Sequence, residues 1–173
     1  MNTKRIFFAL WPDHRQRDRL RDFISPVTKL VEGRAVERSE WHVTLAYIGD
    51  LDVRFIPELM QSASEIPFEP FRLRLDRLEF WPRPKIAAVV PPRVPPAMEA
   101  LVEHLSGLVL ASGVEPQQRV YRPHITVARN ARPFEAMKLA QHAEIEWSRF
   151  DLMESISEHG RTYYRPISKA SDE

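Results

Sequence analysis

His42-Val43-Thr44-Leu45 and His124-Ile125-Thr126-Val127 each set a histidine and a threonine one apolar residue apart. In an extended strand, side chains alternate between faces, so His42 and Thr44 share one face while Val43 and Leu45 turn into a core. The second stretch reads the same way. One chain of six histidines thus places an imidazole beside a hydroxyl twice, as two strands delivering matched polar pairs to one place would require.

The flanking sequence supplies the scaffold. Arg5 to Leu10 reads as a buried strand, broken by Pro12-Asp13, and Leu20, Phe23, Ile24, Val27, Leu30 and Val31 recur at helical spacing. The first motif strand runs from Trp41 to Ile48 and closes at Gly49-Asp50. Phe55, Ile56, Leu59, Met60, Ala63 and Ile66 mark a second helix, stopped by Pro67. Phe71, Leu73 and Leu75 alternate with Arg72, Arg74 and Asp76, after which the apolar phase slips to Leu78 and Phe80, as in a bulged or bent strand.

Ile86 to Val90 is a further apolar strand, and the proline-dense Pro91 to Pro96 reads as a connector between halves. Met98, Leu101, Val102, Leu105, Leu108 and Val109 form a third helix that ends near Gly113. The second motif strand spans His124 to Arg129. Ile145 and Trp147 then alternate, the phase slips again, and Phe150 and Leu152 carry on. Arg161 to Ile167 forms a final strand after a turn at His159-Gly160.

Strand, helix and motif strand recur in this order in both halves, a weak internal repeat because little else matches. Two similar lobes related by a pseudo-twofold axis would bring both His-x-Thr pairs to one cleft. The expected architecture is α+β over residues 1–173, one domain of two lobes, with antiparallel sheets lining a central cleft and helices outside.

Composition narrows the function. A net charge of +1, from 25 basic and 24 acidic residues, argues against a general nucleic-acid coat. Yet 20 of the 25 basic residues are arginine, whose planar fork suits phosphate oxygens; codon bias explains the excess equally well. With no cysteine there is neither a disulfide framework nor a thiolate metal site, as a reducing compartment permits. Ile6 to Trp11 is too short for a secretory signal core, and no stretch reaches membrane-span length. The chain reads as a soluble, cytoplasmic monomer with no membrane partner.

The chemistry follows from residue type. Histidine titrates near neutrality, so two imidazoles flanking a substrate can act as base and acid. Threonine hydroxyls offer donors to oxygens on phosphorus or carbonyl, where charge develops. Arg129 would add a cation, although strict alternation puts it on the face opposite His124 unless the strand twists or bulges. In-line displacement at phosphorus suits this set and needs no metal or other cofactor. Neither motif has a carboxylate beside its histidine, as a metal site would.

Other candidates read as structural. His14, His104, His142 and His159 sit in helices, turns or loops without a partner. Tyr121 and Arg122 order the approach to the second motif in preference to touching substrate. Phe7, Phe8, Trp41 and Tyr47 could stack on a base, but for most of them core packing is the better reading.

These residues resemble the 2H phosphoesterase superfamily, and within it the bacterial RNA 2′,3′-cyclic phosphodiesterases once grouped as 2′-5′ RNA ligases. The likeness rests on Arg5-Ile6-Phe7-Phe8-Ala9-Leu10, on His42 to Gly49, on Arg122-Pro123-His124-Ile125-Thr126-Val127-Ala128-Arg129, and on Ser157-Glu158-His159-Gly160-Arg161-Thr162 with Tyr164 and Pro166. It implies a bilobal fold and metal-independent opening of an RNA 2′,3′-cyclic phosphate end to a 2′-phosphate, with tRNA fragments among candidate substrates.

By that resemblance His42 is the proton donor, His124 the proton acceptor, and Thr44 and Thr126 hold nonbridging oxygens with Arg129 nearby. Trp11 and Tyr163 depart from the family's usual acidic or polar and basic residues, which touches substrate detail alone. Other cyclic phosphates, 2′-5′ linkages, reverse ligation and a non-catalytic RNA-end binding module remain alternatives.

Overall fold

The computed structural model describes residues 1–115 and 119–167. Its strands are β1 (Thr3–Leu10), β2 (Arg34–Ala35), β3 (Val43–Asp52), β4 (Phe71–Trp81), β5 (Ile86–Val90), β6 (Ile125–Arg129), β7 (Met137–Trp147), β8 (Asp151–Glu158) and β9 (Arg161–Pro166). The helices are α1 (His14–Thr28), α2 (Ile56–Ser64) and α3 (Pro96–Ala111). One sheet has the order β3-β1-β8-β9 and the other β2-β6-β5-β4-β7. All their pairings are antiparallel.

The expected α+β class and pseudo-twofold are both present. The order β3-β1-β8-β9 is matched by β6-β5-β4-β7, so each motif strand lies beside an apolar strand that is paired on both edges. Side chains from both faces of β1 and β5 are buried, which accounts for their unbroken apolar sequences. On β1, Ile6, Phe8 and Leu10 join the main core, while Phe7 and Ala9 form a smaller cluster with Met153. On β5, Ala87 and Val89 face the main core, and Ile86, Ala88 and Val90 form the corresponding small cluster.

Helices close the outer faces, and they cross over. α1 packs on β6 and β7 of the five-stranded sheet, whereas α3, with α2 against it, packs on β3 of the four-stranded sheet. α1 buries Leu20, Phe23, Ile24 and Val27 and starts with a capping box: Gln16 N–H donates to Asp13 Oδ1 at 2.8 Å, and Asp13 N–H to Gln16 Oε1 at 2.8 Å. Gln16 Nε2 also donates to the Glu146 carbonyl at 2.7 Å, tying that helix start to β7.

Several sequence expectations are corrected. Pro91–Pro96 joins β5 to α3 and does not divide the chain into halves, because the chain passes between the sheets repeatedly. Gly49 does not close the first motif strand. With φ +89° it occupies a backbone conformation open to glycine, and pairing with β1 continues to Asp52 opposite Thr3. The slip after Trp147 is a change of sheet, from β7 to β8. The slip after Leu75 is a true irregularity, where the β4–β7 register breaks between Leu75 and Arg77. Leu30 lies beyond α1 and is exposed. Two elements are not read from the sequence: the two-residue β2, and the first half of β7, where Met137 and Leu139 are only partly buried.

Both motif strands bulge at the same place. Ala9 pairs with Thr44 but Phe8 with Ala46, leaving Leu45 extra; Ala88 pairs with Thr126 but Ala87 with Ala128, leaving Val127 extra. The residue after each threonine is therefore a bulge, which re-aims everything that follows it.

Candidate active site

His42 and His124 stand immediately ahead of β3 and β6, at equivalent ends of the two motif strands. They line one cavity of about 310 Å³ with Thr44, Thr126, Arg129, Glu40, Trp81, Arg119 and Tyr164. The pairing expected from the sequence is thus realised in space.

Each ring is held by the same bond. His42 Nδ1 lies 2.7 Å from the Glu40 carbonyl, and His124 Nδ1 lies 3.0 Å from the Arg122 carbonyl. A carbonyl oxygen can only accept, so each Nδ1 carries a hydrogen and each Nε2 is the ring nitrogen left for chemistry. In both cases the acceptor belongs to the residue two positions upstream, a further trace of the repeat.

Aromatic walls surround both rings. Phe7 and Tyr164 lie with centroids 5.4 and 5.0 Å from His42, and Trp11 stacks on it at 5.4 Å and 27°. Trp81 approaches His124 at 4.2 Å. Burial in these surroundings lowers the His42 pKa to about 4, and the Glu40 carbonyl bond only partly opposes it; His124 and the cations Arg129 and Arg17 add to the lowering. Burial also lowers His124, with Arg122 and Arg129 acting in the same direction. An empty cleft therefore holds two neutral imidazoles at neutral pH.

Arg129 faces the cleft, against strict alternation. The bulge at Val127 supplies the shift: Ile125, Val127 and Ala128 are all buried, and Arg129 returns to the side of Thr126. Its Nη2 donates to Tyr164 Oη at 3.4 Å, bridging the two sheets.

Tyr121 and Arg122 do order the approach to His124. Tyr121 Oη donates to the Thr44 carbonyl at 2.8 Å, and the Arg122 side chain pairs with Glu79. Of the four aromatic candidates, Phe8 and Trp41 are core and Phe7 is buried beneath His42, so most are core as expected; Tyr47 is the exposed exception. His14, His104, His142 and His159 are exposed, as expected, but His142 lies within β7 and not in a helix, turn or loop.

Sequence reasoning did not single out Trp81, Glu40, Arg119 or Tyr164 as site residues. A signal existed for Trp81. Once Leu78 is assigned to the core, Glu79 and Trp81 must turn to the other face. Glu40 and Arg119 lie outside regular strands, where no alternation applies. Among the described residues, no group of three or more histidine, aspartate or glutamate side chains is arranged to hold a metal ion.

The sequence matches the family described as the 2'-5' RNA ligase superfamily over residues 12–154. The chain belongs to that superfamily. An RNA 2',3'-cyclic phosphodiesterase of Escherichia coli K12 is 27% identical over 170 residues, covering 96% of this chain and 95% of the relative. Another, from Aeropyrum pernix, is 30% identical over 114 residues, and the match spans 64% of that relative's length. The crystal structure of E. coli LigT complexed with 3'-AMP superposes with a TM-score of 0.84 at 25% identity, covering 96% of this chain and 97% of that one. The match to the 2'-5' RNA ligase superfamily spans both motif strands and all of the five-stranded sheet.

Proposed function

We propose that this protein is a hydrolase that opens RNA 2′,3′-cyclic phosphate ends to 2′-phosphomonoesters by two-histidine acid–base catalysis. The observation carrying this reading is the twin arrangement of His42 and His124. Each has Nδ1 engaged by a backbone carbonyl, and both border one cavity with two threonines and an arginine. Superfamily relatives named RNA 2',3'-cyclic phosphodiesterase supply the substrate class.

In this mechanism the Nε2 lone pair of His124 takes a proton from water as its oxygen bonds to phosphorus. The P–O3′ bond breaks in line, and His42 delivers its Nε2 proton to the departing oxygen. Thr44 and Thr126 donate to the nonbridging oxygens, and Arg129 offsets charge building on them. The bound phosphodiester's negative charge raises both imidazoles, opposing the burial that keeps them neutral in the empty cleft. With Arg129 in the cationic role, no step is routed through a metal. One chain supplies every group, consistent with a monomer acting on RNA, tRNA fragments among its substrates, in the cytoplasm.

A non-catalytic RNA-end module would have no use for two titratable rings in matched tautomers. The deciding experiment is turnover of a short RNA bearing a 2′,3′-cyclic phosphate in EDTA, with the product's phosphate position resolved by chromatography. A 2′-phosphate product supports the reading. A 3′-phosphate reverses the assigned leaving group, and activity abolished by EDTA overturns metal independence. Binding without turnover returns the molecule to the binding-module class.

A further inference from the structure

The two histidines share one arrangement in their surroundings, and that arrangement differs between them in one respect. Beside each ring lies a tryptophan, and over each tryptophan lies an arginine. The Arg17 guanidinium is 5.0 Å from the Trp11 ring next to His42, and that of Arg122 is 4.8 Å from the Trp81 ring next to His124. Both tryptophans are engaged by an imidazole and a cation, so neither is simply a vacant platform for a base.

The difference lies in what meets each cation. Arg17 Nη1 donates to the Arg38 and Trp41 carbonyls, at 2.5 and 3.2 Å. Among the described residues no carboxylate pairs with it. Arg122 instead forms an ion pair with Glu79, and Trp81 Nε1 donates to the same Glu79 oxygen at 3.0 Å. A closed circuit results: Glu79 holds Trp81 and Arg122, the Arg122 side chain covers Trp81, Trp81 abuts His124, and His124 Nδ1 donates to the Arg122 carbonyl.

We propose that Glu79 is a positioning residue that gives the histidine pair its polarity, anchoring Trp81 and neutralising Arg122 against the ring of His124 while the cation beside His42 is left uncompensated. This rests on the two-histidine reading above. Sequence offers no way to tell the acid from the base, because the motifs are equivalent. Glu79 breaks the equivalence. The imidazole beside a neutralised cation takes up a proton more readily, and the one beside a bare cation gives its proton up more readily.

The other charged or titratable groups about His124 do not supply this asymmetry. Arg129 and Arg119 border the cleft that both rings share, as do Glu40 and Tyr164, and His42 is the partner itself. Trp81 and Arg122 pack on His124, and Glu79 is the carboxylate they both meet. Glu79 is held ionised: burial opposes the charge, but the bonds from Trp81 and Arg122 outweigh it.

The test is the NMR titration of the His124 and His42 imidazoles in the free protein, for the native chain, Glu79→Gln, Arg122→Gln and the double variant. The glutamine at 79 keeps an acceptor for Trp81 and removes only the charge. The His124 pKa should fall by about half to one unit in Glu79→Gln, rise in Arg122→Gln, and return in the double variant, while His42 moves less throughout. In turnover, the limb of the kcat–pH profile that His124 sets should move to lower pH in Glu79→Gln. An unmoved His124 resonance, equal movement of both rings, or a lower kcat with fixed limbs would each overturn the proposal. A native chain without turnover would instead refute the hydrolase reading, and the titration would still report on Glu79.

Discussion

Tyr121, packed against the main core, joins the two motifs: its hydroxyl donates to the Thr44 carbonyl at 2.8 Å and fastens the approach to the second motif to the middle of the first. The phenol is buried, and burial pushes its pKa up, so it remains a neutral donor. The spacing of His42 and His124 is therefore braced directly as well as through the sheets. Tyr121→Phe should cost about 1–2 kcal/mol in chemical denaturation, and lower kcat more than it raises KM. A variant as stable and active as the native chain would remove Tyr121 from the brace.

Arg129 owes its place to one extra residue in β6. Arg129→Ala should lower kcat about 10- to 100-fold, as loss of a charged oxyanion donor does. Arg129→Lys should recover part of the loss, because the charge returns without the fork. Steady-state kinetics on a cyclic-phosphate oligonucleotide would measure both, and an unchanged kcat in Arg129→Ala would exclude it from the reaction.

The depressed imidazoles predict how stability depends on pH. Unfolded, His42 takes up its proton near 6.5; folded, burial delays uptake to about 4. The unfolded state thus binds more protons between these values, so folding stability is greatest above that window and falls as pH drops through it. His42 alone accounts for about 2–3 kcal/mol of the fall, and His124 contributes with the same sign. Urea denaturation at pH 7 and pH 5 should show a smaller difference in His42→Asn than in the native chain. An equal difference would mean that the ring is not buried neutral.

The same depression separates two kinetic profiles. The pH dependence of kcat/KM reports the free enzyme and that of kcat the complex, and the phosphodiester charge raises both imidazoles only in the complex. The kcat bell should lie at higher pH than the kcat/KM bell. Coincident bells would contradict electrostatic coupling between substrate and histidines.

Much of the site was legible because the strand period is two. His42 with Thr44, and His124 with Thr126, follow from alternation, whereas buried Phe8 and Val89 follow from the unbroken apolar runs of β1 and β5. Alternation alone puts Arg129 on the wrong face and brings it to the site only through a bulge: the extra residue at Val127 inverts the phase, and neither an apolar valine nor the alanine after it signals its position. Gly49 misled in the other direction, since a glycine of positive φ inside a strand looks in sequence like a turn. The exchange of helices between sheets left no local trace, because α1 presents the same apolar stripe whichever sheet it covers. Trp81 was within reach once Leu78 fixed the face, whereas Glu40 and Arg119 were not, for the chain there has no period.

The central claim is that His42 and His124 divide the work of acid and base. Measuring the pH dependence of kcat for the native chain, His42→Ala and His124→Ala on one cyclic-phosphate RNA tests it most directly. Each substitution should slow turnover about a hundredfold or more. His124→Ala should lose the ascending limb of the native bell and His42→Ala the descending one. Near-native rates in either variant, or an intact bell in both, would contradict the account.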